Sequence, residues 1–243
     1  MNAIEIKSLT KRYGDVVALD ALSLEVKAGE MVALLGVNGA GKTTAIKLLS
    51  CLTEPDEGEA LVAGHSILRD AQAVKCLIDV SPQQTAVARK LTVRENLRFM
   101  AEINGICGAA ASAAAQKSIE DLGLSTVADR RADTLSGGWQ RRLSIAMALI
   151  SNPKVLFLDE PTLGLDVIAR HELWEHIATL KGKMTVVLTT HYLEEAEALC
   201  DRIAILSQGR LAALGTAEEL KAQAGEQSFE KAFVKLCTKG VSA

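Results

Sequence analysis

The sequence predicts an α/β fold: a mainly parallel sheet with helices on both faces, preceded by an antiparallel β subdomain and interrupted by an inserted α-helical block. Three observations predict it. Short apolar runs at 31–35 (MVALL), 155–158 (VLFL) and 184–189 read as strands buried on both faces. Helical patterns separate them, as crossovers between parallel strands require. Ahead of the first run, residues 3–9 (AIEIKSL) and 21–26 (ALSLEV) alternate apolar and polar, the mark of half-exposed strands.

Taken in order, the two alternating strands flank a KRYG turn that carries Tyr13. Composition favours plain packing for this tyrosine over a ligand contact. The buried strand 31–35 runs into Gly36–Thr44 (GVNGAGKTT), and a periodic helical segment follows at 45–52. This stretch fits the phosphate-loop template G-x-x-x-x-G-K-[ST] at every fixed position. Glycines let successive backbone N–H groups turn inward as a nest for polyphosphate, and the helix start adds its positive dipole end. Lys42 reaches the β- and γ-phosphates, and the Thr43 hydroxyl faces magnesium. A glycine turn that binds nothing is disfavoured, because the strand-before, helix-after context is met.

The turn cluster 54–58 (EPDEG) ends that helix, and a strand follows at 59–63. His65 has no second ligand spaced from it and reads as a loop residue. A helix over 67–76 and a strand over 76–80 lead to Ser81-Pro82-Gln83-Gln84. From Thr92 to about Asn152 the pattern is helical. It opens on the capping box Thr92-Val93-Arg94-Glu95 and includes an alanine-rich run at 109–115. Leu135-Ser136-Gly137-Gly138 then starts a further periodic run. Two readings stand level there: a second anion-binding helix start, or a capped helix after a flexible turn.

The strand at 155–158 ends in Asp159-Glu160, adjacent carboxylates that are costly at a buried strand end unless engaged. In a phosphate-loop enzyme this is the magnesium-facing position. Gly164-Leu165-Asp166 precedes a helix over 168–180, in which His171 and His176 are spaced one too far for a shared zinc. The strand at 184–189 leads to His191. A helix (192–200), two strands (202–206 and 210–214), a second capping box (Thr216 to Glu219) and a helix expected to be peripheral (228–237) complete the chain. Ligands in parallel sheets gather at the carboxyl ends of strands. Gly36, Gln83, Asp159 and His191 all follow such ends.

At 243 residues, 49% hydrophobic and 23% charged, the chain has the composition of a soluble globular domain. No apolar stretch approaches the ~18 residues of a membrane span. The N-terminus lacks a signal-peptide core, so a cytosolic location is expected. A net charge of −3 gives no basic excess, and no nucleic-acid partner is expected. The five cysteines form no CxxC pair and are expected to be reduced and mostly buried.

In combination these motifs closely resemble the ATP-binding subunits of ABC transporters over essentially the full length. GVNGAGKTT is similar to the Walker A loop, VLFLDEP to Walker B with its following glutamate, and LSGGW to the family signature. GLD resembles the D-loop, Gln83 the Q-loop glutamine and His191 the switch histidine, while Tyr13 falls where the family stacks an aromatic on adenine. TVRENLRFMAEING and TTHYLEEAEALCDR are similar to the export-type branch. The chain departs from the common pattern at Trp139 and Arg141, each in place of glutamine, and at Asp79 in place of glycine. Trp139 is expected to change packing beside the site, and Asp79 to alter the cleft near the Q-loop.

The resemblance implies a P-loop NTPase (RecA-like) ATPase domain over 1–222, with a helical subdomain inserted at about 84–152 and a helical tail at 223–243. It implies ATP and magnesium as cofactors. Nucleotide would be held by Tyr13, Gly36, Asn38, Gly39, Ala40, Gly41, Lys42, Thr43, Thr44 and Gln83, with Ser136, Gly137, Gly138 and Asp166 completing the site. Thr43, Gln83 and Asp159 would face the metal, and Glu160, His191 and Lys42 would be catalytic. The implied partners are a second copy of the chain, head to tail, and a separate membrane permease on whose cytoplasmic side the dimer would sit. The competing class is a soluble ABC ATPase acting on DNA, the ribosome or another assembly. The single cassette, the absence of a coiled-coil or zinc-bearing insertion and the lack of basic excess all weigh against it.

Overall fold

A computed structural model describes residues 1–239; the end of the expected tail, residues 240–243, lies outside them. In chain order the elements are β1 (Asn2–Tyr13), β2 (Val16–Lys27), β3 (Met31–Leu35), α1 (Lys42–Leu49), β4 (Glu57–Val62), β5 (His65–Ser66), α2 (Ala71–Lys75) and β6 (Ile78–Ser81). There follow α3 (Val93–Ile103), α4 (Gly108–Asp121), α5 (Gly137–Leu149), β7 (Val155–Asp159), α6 (Val167–Ala178), β8 (Thr185–Thr190), α7 (Leu193–Leu199), β9 (Arg202–Ser207), β10 (Arg210–Gly215), α8 (Ala217–Ala224) and α9 (Phe229–Lys239). The strands form a four-stranded antiparallel sheet, β2-β1-β4-β5, and a six-stranded sheet, β10-β9-β3-β8-β7-β6. In the larger sheet only β10 runs antiparallel to its neighbour.

The apolar runs are apolar throughout because both faces of this sheet are covered. Successive side chains point to opposite sides. Met31, Ala33 and Leu35 of β3, with Leu156 and Leu158 of β7, enter a core shared with the helical block and the C-terminal helices. Val32 and Leu34, with Val155 and Phe157, enter a second core shared with α1 and the antiparallel sheet. At about 25 cal/mol per Å² of apolar surface removed from water, such two-sided burial dominates the stability of the layer.

The N-terminal strands are longer than the alternation predicts. β1 continues past residue 9 to Tyr13 because Ser8, with φ of 48°, sits where the register with β2 shifts, between Ile6 and Leu9. That irregularity breaks the period of two without ending the strand. Both capping boxes form. Thr92 Oγ1 accepts from Glu95 N at 3.1 Å while Thr92 N donates to Glu95 Oε2 at 2.8 Å, and Thr216 and Glu219 repeat the pattern at 3.2 and 2.8 Å.

Two expectations are corrected. The C-terminal helix is not merely peripheral: Phe229, Ala232 and Leu236 form a stripe on α9 buried in the same core as Ile203 and Ile205 of β9. The cysteines are all free, but none is fully buried, and Cys76 and Cys107 are exposed. Among the described residues no helix is long and apolar enough to cross a membrane.

Candidate functional site

The parallel strands β3, β8, β7 and β6 are consecutive in the sheet, so their carboxyl ends open on one edge. The loop after β3 fits there only with glycine at two positions. A Cβ on Gly36 would meet Leu206 O at 2.6 Å, and one on Gly41, at φ +100°, would meet Ala18 O at 2.4 Å. Gly41 is also the N-cap of α1 and has no side chain to cap it, which leaves the first-turn N–H groups directed at the loop's concavity. Lys42 is 6% exposed and donates to Gly36 O at 2.7 Å and Val37 O at 3.3 Å. Ala40 is buried, whereas Asn38 and Gly39 lie on the exposed rim of the loop.

The end of β7 supplies the carboxylates. Thr43 Oγ1 donates to Asp159 Oδ1 at 3.2 Å, and Thr189 Oγ1 of β8 donates to the same oxygen at 2.5 Å. The Thr189 hydroxyl in turn accepts from Glu160 N at 2.9 Å. Glu160 sits in the left-handed region at φ 49°. Its carboxylate lies between two cationic or protonatable groups, with Lys42 Nζ at 3.3 Å from Oε1 and His191 Nδ1 at 2.7 Å from Oε2. One residue of β8 thereby holds both the Asp159 carboxylate and the backbone of Glu160. Sequence reasoning missed Thr189, whose only signal was a hydroxyl pair closing the strand after the apolar run Val186–Leu188.

Gln83 is exposed in the loop after β6, and among the described hydrogen bonds its side chain reaches neither Thr43 nor Asp159. Its backbone is held instead, through Arg141 of α5, which donates to Pro82 O and Gln83 O at 2.7 Å each and to Glu160 O at 3.1 Å. Gln83, Gly137, Arg141 and Leu163 to Leu165 line one cavity of about 410 Å³. The sequence marked Arg141 as a departure but gave no sign of this bridge.

Ser136 stands at the start of α5 and is exposed. Its backbone has N-cap geometry, but its hydroxyl makes no cap hydrogen bond, so the side chain and the first-turn N–H groups of α5 are open to an acceptor. Gly138 admits α6 closely, since a Cβ there would meet the Ala169 Cβ at 3.1 Å. Asp166 caps α6 by accepting from Ala169 N at 2.9 Å. Tyr13 is 47% exposed and not packed, with Lys11 Nζ 5.6 Å from its ring centre. Trp139 stacks on the Arg142 guanidinium at 4.7 Å, and Arg142 pairs with Glu172 of α6. Asp79 accepts from Val80 N at 2.8 Å and Ser151 Oγ at 3.1 Å; burial pushes its carboxyl above the ordinary range, and these bonds pull it back.

A glycine-framed anion cradle with a buried lysine, a hydroxyl–carboxylate pair and an adjacent glutamate defines a nucleotide-binding ATPase of the P-loop class. The family model described as ABC transporter matches residues 19–163. The daunorubicin resistance ATP-binding protein DrrA3 of Streptomyces coeruleorubidus is 44% identical over 92% of this chain and 71% of its own. The Nod factor export ATP-binding protein I of Burkholderia lata is 42% identical over 89% of this chain and 72% of its own. Among solved structures, an ATP-binding subunit of an ABC transporter superposes with a TM-score of 0.84 at 31% identity, covering 96% of this chain and 99% of that one. A dimeric ATP-binding cassette in a post-hydrolysis state, bound to ADP and phosphate, does so with a TM-score of 0.78 at 27% identity, covering 88% and 98%. The chain belongs to the ABC transporter family, as an ATP-binding, ATP-hydrolysing subunit.

Proposed function

We propose that two copies of this chain close head to tail around ATP, hydrolyse it with magnesium, and drive a separate membrane permease in the export direction. The observation that carries the hydrolytic part is Glu160, buried at the mouth of the cradle with Lys42 on one carboxylate oxygen and His191 on the other. In this reading Gly36 to Thr44 hold the phosphates, Lys42 meets the β- and γ-phosphates, and Tyr13 stacks on the base. Glu160 takes the proton of the attacking water, and His191 holds the γ-phosphate. The oxygens of Thr43 and Asp159, already 3.2 Å apart, fit the hard-oxygen preference of magnesium, and the Gln83 amide would join them from the loop after β6. When bound there, the metal offsets charge on the β- and γ-phosphate oxygens.

The open hydroxyl of Ser136, with Gly137, Gly138 and the Asp166 segment, closes over the partner's nucleotide. Since the γ-phosphate then bridges two subunits, its loss weakens closure, and that differential contact is what moves a permease. The dimeric neighbour and the export name of one relative support this reading. Replacing Glu160 with Gln is expected to abolish turnover and trap an ATP-bound dimer. Light scattering with ATP and magnesium checks it: a variant that stays monomeric overturns the scheme.

A further inference from the structure

Arg141 is 4% exposed and lies one turn into α5 from Ser136, yet among the described residues it pairs directly with no carboxylate. Its guanidinium instead donates to three backbone carbonyls from two separate segments: Pro82 and Gln83 after β6, and Glu160 after β7. A buried charge carries a large desolvation cost, and an apolar side chain would fill the same space without it. What an apolar side chain lacks is the rigid planar fork that joins acceptors at fixed angles.

Each acceptor needs that fork. Pro82 has no N–H with which to anchor the loop, and residues 82–90 lie outside any helix or strand, so the loop has no ladder to hold it. Glu160 is an L-residue at positive φ, a conformation that survives only where its surroundings impose it. Its N–H side is pinned by Thr189, through Oγ1 at 2.9 Å and the carbonyl oxygen at 3.1 Å. Its carbonyl side is held by Leu163 N at 3.2 Å and by Arg141. Among the described residues, Arg141 is the only side chain that grips the carbonyl side.

We propose that Arg141 is a positioning residue: it holds the Gln83 loop and the backbone of Glu160 in one register with α5, so that the Glu160 carboxylate points at the reacting phosphate. This rests on Glu160 acting on the attacking water. Because α5 also begins with Ser136, the same guanidinium ties the helix that faces the partner's nucleotide to the glutamate that serves the chain's own.

Purified full-length Arg141→Met, Arg141→Lys and Glu160→Gln are compared with wild type for steady-state ATPase kinetics, binding of a fluorescent ATP analogue and thermal unfolding. Misplacing a reacting group by about 1 Å costs on the order of a hundredfold in rate. Arg141→Met is therefore expected to lose about tenfold to a hundredfold in kcat, while analogue affinity stays within about threefold, the signature of an interaction that acts on chemistry and not on binding. Arg141→Lys keeps the charge but not the fork, and is expected to lie between Arg141→Met and wild type. If Arg141→Met fails to fold, Arg141→Lys decides alone by the same split between kcat and affinity. Wild-type kcat in Arg141→Met, or in Arg141→Lys, overturns the positioning role. So does a fall in affinity that tracks the fall in kcat and in melting temperature. An inactive Glu160→Gln beside a fully active Arg141→Met overturns the role of Arg141 alone, whereas a Glu160→Gln that hydrolyses ATP normally removes both.

Discussion

Glu195 of α7 is fully buried, and its Oε1 accepts from Thr162 Oγ1 at 2.9 Å and Trp174 Nε1 at 3.1 Å. Burial pushes its carboxyl above the usual range and the charge of Glu160 adds to that, while hydrogen bonds from Thr190, Thr162 and Trp174 pull it back. A carboxyl whose folded pKa is raised binds more protons folded than unfolded. Stability therefore falls as pH rises from the unfolded value, about 4.3, through the folded one, and the cost is fully present above it. Glu195→Gln keeps an acceptor for both donors and removes the charge. It is expected to melt about 2–4 °C higher than wild type at pH 8, the scale of one kcal/mol in a chain of this size, and to match wild type near pH 4. Thermal melts across that range check it; a variant less stable at pH 8 than at pH 4, relative to wild type, contradicts it.

At the scale of elements, α9 is the sharpest test. Phe229 is 4% exposed and joins the helix to the core. Phe229→Ala is expected to cost about 3–5 kcal/mol in denaturant unfolding, as large-to-small core changes do, whereas a peripheral helix would lose almost nothing. The sequence pointed to α9 as a helix but not to its burial, because the stripe Phe229, Ala232, Leu236 has a small residue at its centre. The strands were legible for the opposite reason. Burial on both faces makes β3 apolar throughout and gives β7 and β8 apolar centres, a pattern with few competing explanations. Within the site, the loop Gly36 to Thr44 and the pair Asp159-Glu160 were legible as motifs because each is contiguous in the sequence. Thr189 and Arg141 were not, since each acts on backbone or side-chain atoms far away in sequence, and such partners exist only once β6, β7, β8 and α5 are side by side.

For the whole molecule, Ser136 and Lys42 are expected to act in different subunits of one site. Ser136→Ala and Lys42→Ala, each inactive alone, should recover activity on mixing. In a two-fold dimer assembled at random, half the pairs are mixed and each has one intact site, about a quarter of all sites. ATPase assays of a titrated mixture measure this; no recovery contradicts the head-to-tail arrangement.

While Lys42 and Glu160 face each other at 3.3 Å, each masks the charge of the other. In the proposed mechanism a polyphosphate entering the loop competes for the same ammonium, and when it succeeds the contact between Lys42 and Glu160 is given up. Under the proposed mechanism fuel and ignition are keyed to one another: the phosphate that draws the lysine away is the same one the freed glutamate would then serve.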